Sequence, residues 1–226
     1  QGPDGKLALT YPMGDKKLPG IAAEDIGKCA YGIFKRGREF IGKSVGVAGE
    51  HLTGAQMAAA LTRALQGFPQ CNAHYDAARE MVVRYSAKHV GIATQTSEGL
   101  KVPVVRDAER LGLRALAAEI SRVTTAARDR SARRQELSGS TITVTSLGKL
   151  GGIASTPIIN LPEVAIVGVN RALERPMVVN GTIQVRLMMN LSSSFDHRFV
   201  DGADAAGLIQ ALKDLLEHPA TIFTAA

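Results

Sequence analysis

The 226-residue chain has no tryptophan, four tyrosines and six phenylalanines. With so few rings and no RNA-binding signature, a nucleic-acid surface built by base stacking has little support. The two cysteines, Cys29 and Cys71, supply neither a disulfide framework nor metal-ligand spacing. Nothing in their local sequence depresses either thiol, so core packing is their expected role. No apolar run approaches the roughly 18 residues of a membrane helix and no secretory leader is evident, so a soluble protein without a membrane partner is expected. Acidic residues are the minority, 21 against 27 lysines and arginines. The net charge of +6 suits a phosphate-bearing ligand or an acidic partner, and equally a generic basic surface.

Hydrophobic residues make up 45% of the sequence, enough for one ordinary domain core. Residues 53–66 open with Thr53 and Gln56 as a capping-box pair and carry Met57, Leu61 and Leu65 inward, which predicts a helix. Leu113, Leu116, Ile120, Val123 and Ala127 recur at three and four and predict a longer one. The charge run Arg128 to Arg134 ends that helix in solvent. Val164 to Val169 is a short apolar run, as in a strand covered on both faces. Asn180-Gly181 between two β-rich stretches signals a hairpin, because both residues tolerate positive φ.

The most informative segment is Ser194-Phe195-Asp196-His197-Arg198-Phe199-Val200-Asp201-Gly202. Arg186 to Phe195 alternate with period two, predicting a strand. Ala205, Leu208, Leu212, Leu215 and Leu216 predict a helix that ends before Pro219. His197 therefore sits on the turn between them, flanked by two carboxylates. An imidazole titrates near about pH 6.5, and Asp201, four residues on, is placed to fix its tautomer for work as a general base. Arg198 is placed to pair with Asp196 and stiffen the turn. The plain alternative is a solvated surface turn with ordinary capping charges.

Asp-His-Arg-x-x-Asp-Gly resembles the C-terminal motif of the dihydrolipoamide acyltransferases, the E2 components of 2-oxo acid dehydrogenase complexes. The resemblance extends in order through Phe68-Pro69-Gln70-Cys71-Asn72-Ala73, then Gly91 to Thr94 with Gly99 to Arg106. It continues through Thr145-Ser146-Leu147-Gly148-Lys149-Leu150-Gly151-Gly152 and Thr156-Pro157-Ile158-Ile159-Asn160, which leads into Pro162 to Val169. Several ordered matches over 66–226 are far more specific than one short motif. The resemblance implies a two-layer mixed α/β sheet with helices, chloramphenicol-acetyltransferase-like, forming trimers. It also implies acyl transfer between a dihydrolipoyl thiol and coenzyme A. His197 is then the base, Asp201 its orienting partner and Thr145 the hydroxyl that stabilises the oxyanion, with histidine and hydroxyl supplied by adjacent subunits. Read from residues alone, Thr145 ends the strand 141–145 beside a glycine-rich turn, and β-branched Thr141 and Thr143 are simply good strand residues. The implied partners are a homotrimer within a larger symmetric core, lipoyl domains, and the E1 and E3 components through domains this chain lacks. The lipoyl group rides on such a separate domain. The implied compartment is bacterial cytoplasm or mitochondrial matrix. A branched-chain acyl group is mildly favoured over acetyl or succinyl by the stretch from Gly91 to Arg106.

Residues 1–65 follow another pattern. Gly2 to Lys6, Tyr11 to Asp15, Ala23 to Gly27 and Phe40 to Thr53 resemble, in order, the later part of the NmrA-like proteins, which bind NADP as redox sensors or regulators. No glycine-rich loop between a strand and a helix precedes them, so NADP binding is not expected. The reading is therefore an N-terminal segment over 1–65 and an acyltransferase core over 66–226. An inactive scaffold of the same shape is the second reading, and an NADP-sensing regulator the third. His51, His74, His89 and His218 have no partners at ligand spacing and read as structural or solvated. No metal is expected.

Overall fold

The computed structural model describes residues 54–148, 151–179 and 181–223. The stretch that resembles NmrA-like proteins lies almost wholly outside them, as do Cys29, His51 and the capping residue Thr53.

The first described element is α1 (Gly54–Ala64), followed by two short hairpins, β1 (Ala73–Asp76) with β2 (Met81–Arg84) and β4 (Thr94–Thr96) with β5 (Gly99–Lys101). The main sheet has five strands: β3 (Val90–Ile92), β6 (Val104–Val105), β7 (Ile142–Ser146), β8 (Ala165–Val169) and β11 (Leu191–Phe195), in the order β11-β8-β7-β3-β6. The three central strands run parallel and the two edges antiparallel. Parallel strands need covered faces, and β8 is buried along four of its five residues. Helices α2 (Leu113–Arg128) and α3 (Gly202–Glu217) complete the body.

The apolar spacings read from sequence decide which faces meet. Met57, Leu61 and Leu65 of α1 and the residue after it, Leu116 and Val123 of α2, and Leu208 and Leu212 of α3 bury into one cluster with Val90, Ile142 and Val167 of the sheet and Val164 just before β8. A fully buried aliphatic side chain stabilises by about 1.5–3 kcal/mol, so truncating Leu212, which has no exposed surface, would cost about 2–5 kcal/mol. Helix α1 packs against α2 and α3, so it belongs to the same core. Cys71 is fully buried as well, and burial pushes its thiol up to about 12, which leaves it inert.

The alternating run Arg186–Phe195 is two strands, not one. Its first part belongs to β10 (Thr182–Met188), which among the described residues pairs only with β9 (Leu173–Val179) in a separate ribbon. At Asn190 the chain leaves that ladder: the Asn190 carbonyl accepts from the Asn170 backbone N–H at 3.2 Å, and its side-chain amide donates to the Ile153 carbonyl at 2.9 Å. Only from Leu191 onward does it enter the main sheet. Period two is the same on both sides of such a corner, so alternation alone cannot reveal it. The ribbon turns at Gly181, whose φ is +74°, and exposes Val178, Ile183, Val185 and Leu187.

Candidate active site

His197 stands on the turn between β11 and α3. The turn is tied at its base by the Asp196 N–H donating to the Val164 carbonyl at 2.8 Å, and closed by the Phe199 and Val200 N–H groups donating to the Asp196 carbonyl, each at 3.0 Å. The Asp196 carboxylate accepts from the Arg198 guanidinium at 2.9 and 2.7 Å and from the Arg198 backbone N–H at 3.2 Å. Those bonds hold the Asp196 carboxyl below its usual range. The guanidinium lies 4.5 Å over the Tyr75 ring and 4.9 Å over Phe199. The pair is too exposed for its charge alone to count for much, but together these contacts fix the turn. His197 itself is exposed. Neither flanking carboxylate reaches it: Asp196 is held by Arg198, and Asp201 caps α3 by accepting the Asp204 N–H at 2.8 Å.

Thr145 lies near the end of β7, half-buried, in the wall of a cavity of about 540 Å³. Ala93, Leu100, Val102, Ile158 and Val169 make its lining largely apolar, and no charged side chain lines it among the described residues. No hydrogen bond engages the Thr145 hydroxyl among those residues, which leaves it free to donate to a ligand.

Strand register separates these two groups. Thr145 lies opposite Gly168, and Gly168 opposite Ser192. Phe195 is three residue steps past that row, about 10 Å along the strand and two strands to the side, with His197 farther still. The two side chains cannot share one ligand atom within a single chain.

Behind the cavity wall sits a polar cluster that sequence reasoning missed. Glu163 is 1% exposed. Its Oε1 accepts from the Ser140 hydroxyl, from the Thr143 hydroxyl at 2.8 Å and from the Asn160 amide at 3.0 Å. Thr141 is likewise more than a strand former: its hydroxyl donates to Asn72 Oδ1 at 2.6 Å and accepts the His89 N–H at 3.0 Å. His74 Nε2 lies 2.6 Å from the Ser140 carbonyl, which can only accept, so that nitrogen carries the proton and Nδ1 takes the Tyr85 hydroxyl at 3.0 Å. His89 Nδ1 accepts the Asp107 N–H at 3.0 Å, and His218 Nδ1 donates to the Asp214 carbonyl at 3.1 Å. All three histidines are structural, and the described residues contain no cluster able to hold a metal. One sequence signal for Glu163 was available: a carboxylate directly before an unbroken apolar strand has few ways to stay in water.

A family model described as 2-oxoacid dehydrogenases acyltransferase (catalytic domain) matches residues 50–224. The lipoamide acyltransferase component of the branched-chain alpha-keto acid dehydrogenase complex of Pseudomonas aeruginosa is 66% identical over 164 residues, 73% of this chain and 38% of that protein. The dihydrolipoyllysine-residue acetyltransferase component of the Bacillus subtilis pyruvate dehydrogenase complex is 40% identical over 72% of this chain and 37% of its own length. The chain thus spans less than two fifths of the curated relatives it matches. A crystal structure of Azotobacter vinelandii dihydrolipoamide acetyltransferase superposes with a TM-score of 0.72 at 34% identity, covering 88% of this chain and 79% of the other. The cubic core of a pyruvate dehydrogenase multienzyme complex gives 0.73 at 33% identity, over 89% and 79%.

Proposed function

Because the chain belongs to the acyltransferase catalytic-domain family of the 2-oxoacid dehydrogenases, we propose that it moves an acyl group between a dihydrolipoyl thiol and the thiol of coenzyme A, with His197 and Thr145 acting across a subunit boundary. A thiol with a free pKa of about 8.5 is a weak nucleophile until deprotonated. His197 takes that proton, and the thiolate attacks the thioester carbonyl carbon. The oxygen then carries negative charge, which the Thr145 hydroxyl stabilises by about 3–4 kcal/mol if placed as an oxyanion donor. Collapse breaks the original C–S bond, and the departing thiolate recovers a proton from the imidazolium.

One observation carries this reading. The Azotobacter structure comes from work on a serine, a histidine and an asparagine in that enzyme's catalytic mechanism, the serine 52 positions before the histidine and the asparagine four after it. Thr145, His197 and Asp201 repeat those intervals and place a hydroxyl residue, a histidine and a short polar residue in the same order. The separation of Thr145 from His197 by strand register supports a shared site in a closed trimer, itself part of a larger core that receives lipoyl domains and works with E1 and E3 components. The largely apolar cavity beside Thr145, without a charged side chain among the described residues, suits the acyl-bearing end of the dihydrolipoyl group. Its lining and the 66%-identical relative favour a branched-chain acyl group. Asp201 contributes by fixing the start of α3 behind the histidine.

The engagement of Asp201 as a helix cap is the one feature that favours an inactive scaffold of the same shape. Acyl transfer from a branched acyl-CoA to free dihydrolipoamide separates the two: turnover is expected, falling by about two to four orders of magnitude in His197→Ala. Folded, assembled wild-type protein as inert as that variant would leave the scaffold reading standing instead.

A further inference from the structure

Glu163 is the only fully buried acidic side chain among the described residues, and the acyl-transfer steps leave it unused. Three donors converge on Oε1, while Oε2 has no partner among the described residues. Burial raises this carboxyl above its ordinary value, and the three donors pull the other way. A carboxylate kept in such a place is costly unless its bonds do something.

Two of the three donors, Thr143 and Asn160, also line the cavity that contains Thr145. The amide nitrogen of Asn160 is taken by Glu163 at 3.0 Å and lies 3.3 Å from the Thr143 hydroxyl. The amide oxygen is the end that remains for a ligand. It is a neutral acceptor in a wall that has no charged side chain among the described residues, matched to an uncharged donor such as a thiol. A dihydrolipoyl group carries such a donor: when one of its thiols bears the acyl group, the other keeps its S–H a few bonds away.

We propose that Glu163 is a positioning residue that acts through Asn160, holding the amide nitrogen so that the amide oxygen faces the cavity and accepts the S–H of the substrate's second thiol. The pair then discriminates dithiol from monothiol substrates. This assignment rests on the acyltransferase reading and adds a specificity element to the same site.

The test compares dihydrolipoamide with its monothiol analogue lacking the inner thiol, in turnover and in calorimetric binding. Wild type is expected to prefer the dithiol in kcat/KM by about five- to tenfold, the scale of one hydrogen bond. Asn160→Ala and Glu163→Leu both abolish that preference while the KM for acyl-CoA stays within about twofold, and combining them gives no further loss. Glu163→Gln keeps the preference, because its amide oxygen still accepts the Asn160 N–H. If Asn160→Ala retains the preference, or the monothiol serves wild type equally well, the assignment is overturned while the acyltransferase reading stands. Asn160→Ala decides even if Glu163→Leu fails to fold. Wild type that neither turns over nor binds dihydrolipoamide overturns both.

Discussion

Two inactive variants should restore each other if the hydroxyl and the imidazole of one site come from different copies of the chain. His197→Ala removes the base, and Thr145→Val removes the hydroxyl while keeping the β-branch that β7 needs. Alone, the first is expected to lose about two to four orders of magnitude of activity and the second about two to three. In a closed trimer assembled at random from equal amounts, a site is whole when its histidine comes from a Thr145→Val subunit and its hydroxyl from a His197→Ala neighbour. Each condition is met half the time, so about a quarter of the sites are whole. Co-expression in equal amounts and the acyl-transfer assay on the unselected assemblies would then find close to 25% of wild-type specific activity, against about 1% or less for either variant alone. The figure follows from the sheet, because Thr145 shares a row with Ser192 while His197 lies beyond Phe195. Mixed assemblies no more active than the two variants averaged would refute it and place both groups in one chain.

Gly207, within α3, should resist substitution despite its poor helix propensity. A Cβ there meets Phe68 at 2.7 and 2.8 Å, so the overpacking cost of about 1–3 kcal/mol outweighs the gain of about 1 kcal/mol from removing a helical glycine. Gly207→Ala is expected to lower the melting temperature by a few degrees, and an increase would show that the Phe68 ring yields freely. Peptide mapping after alkylation should find Cys71 unmodified in native protein, labelled only at the rate of opening; prompt labelling would contradict its burial. For Glu163 the folded carboxyl lies above its ordinary value of 4.5, so the folded state holds a proton that the unfolded chain releases. Its contribution is fully present below about pH 4.5 and is lost as pH rises through the folded value. Denaturant midpoints of wild type relative to Glu163→Gln should therefore fall with rising pH, and a rise would reverse the assignment.

Much of the body was legible because its elements rest on local pattern. The helix ending before Pro219, the helix from Leu113, the buried strand after Val164 and the turn at Gly181 each announce themselves through apolar spacing or turn chemistry. The corner at Asn190 did not, since its cause is a pair of hydrogen bonds to Asn170 and Ile153 that are distant in sequence. The same limit applies to the site. His197 stands out by its neighbours and Thr145 by its place near the end of a strand, yet the distance between them is a matter of register, fixed by which strands pair. Glu163 and Asn160 lie within a matching stretch, but nothing local says that one oxygen will gather donors from Ser140, Thr143 and Asn160. Asp201 adds a role that spacing to the histidine does not announce: its Oδ1 accepts the backbone N–H of Asp204 and caps α3.

The ribbon of β9 and β10 has a consequence for how the protein comes apart. Two strands alone are marginal in water, and this pair turns Val178, Ile183, Val185 and Leu187 outward. Its order must be underwritten by whatever covers those side chains. If that cover is another copy of the chain, folding and association are one equilibrium, and the unfolding midpoint shifts upward with protein concentration. Dilution then acts as a denaturant, although it competes directly with none of the bonds inside the five-stranded sheet.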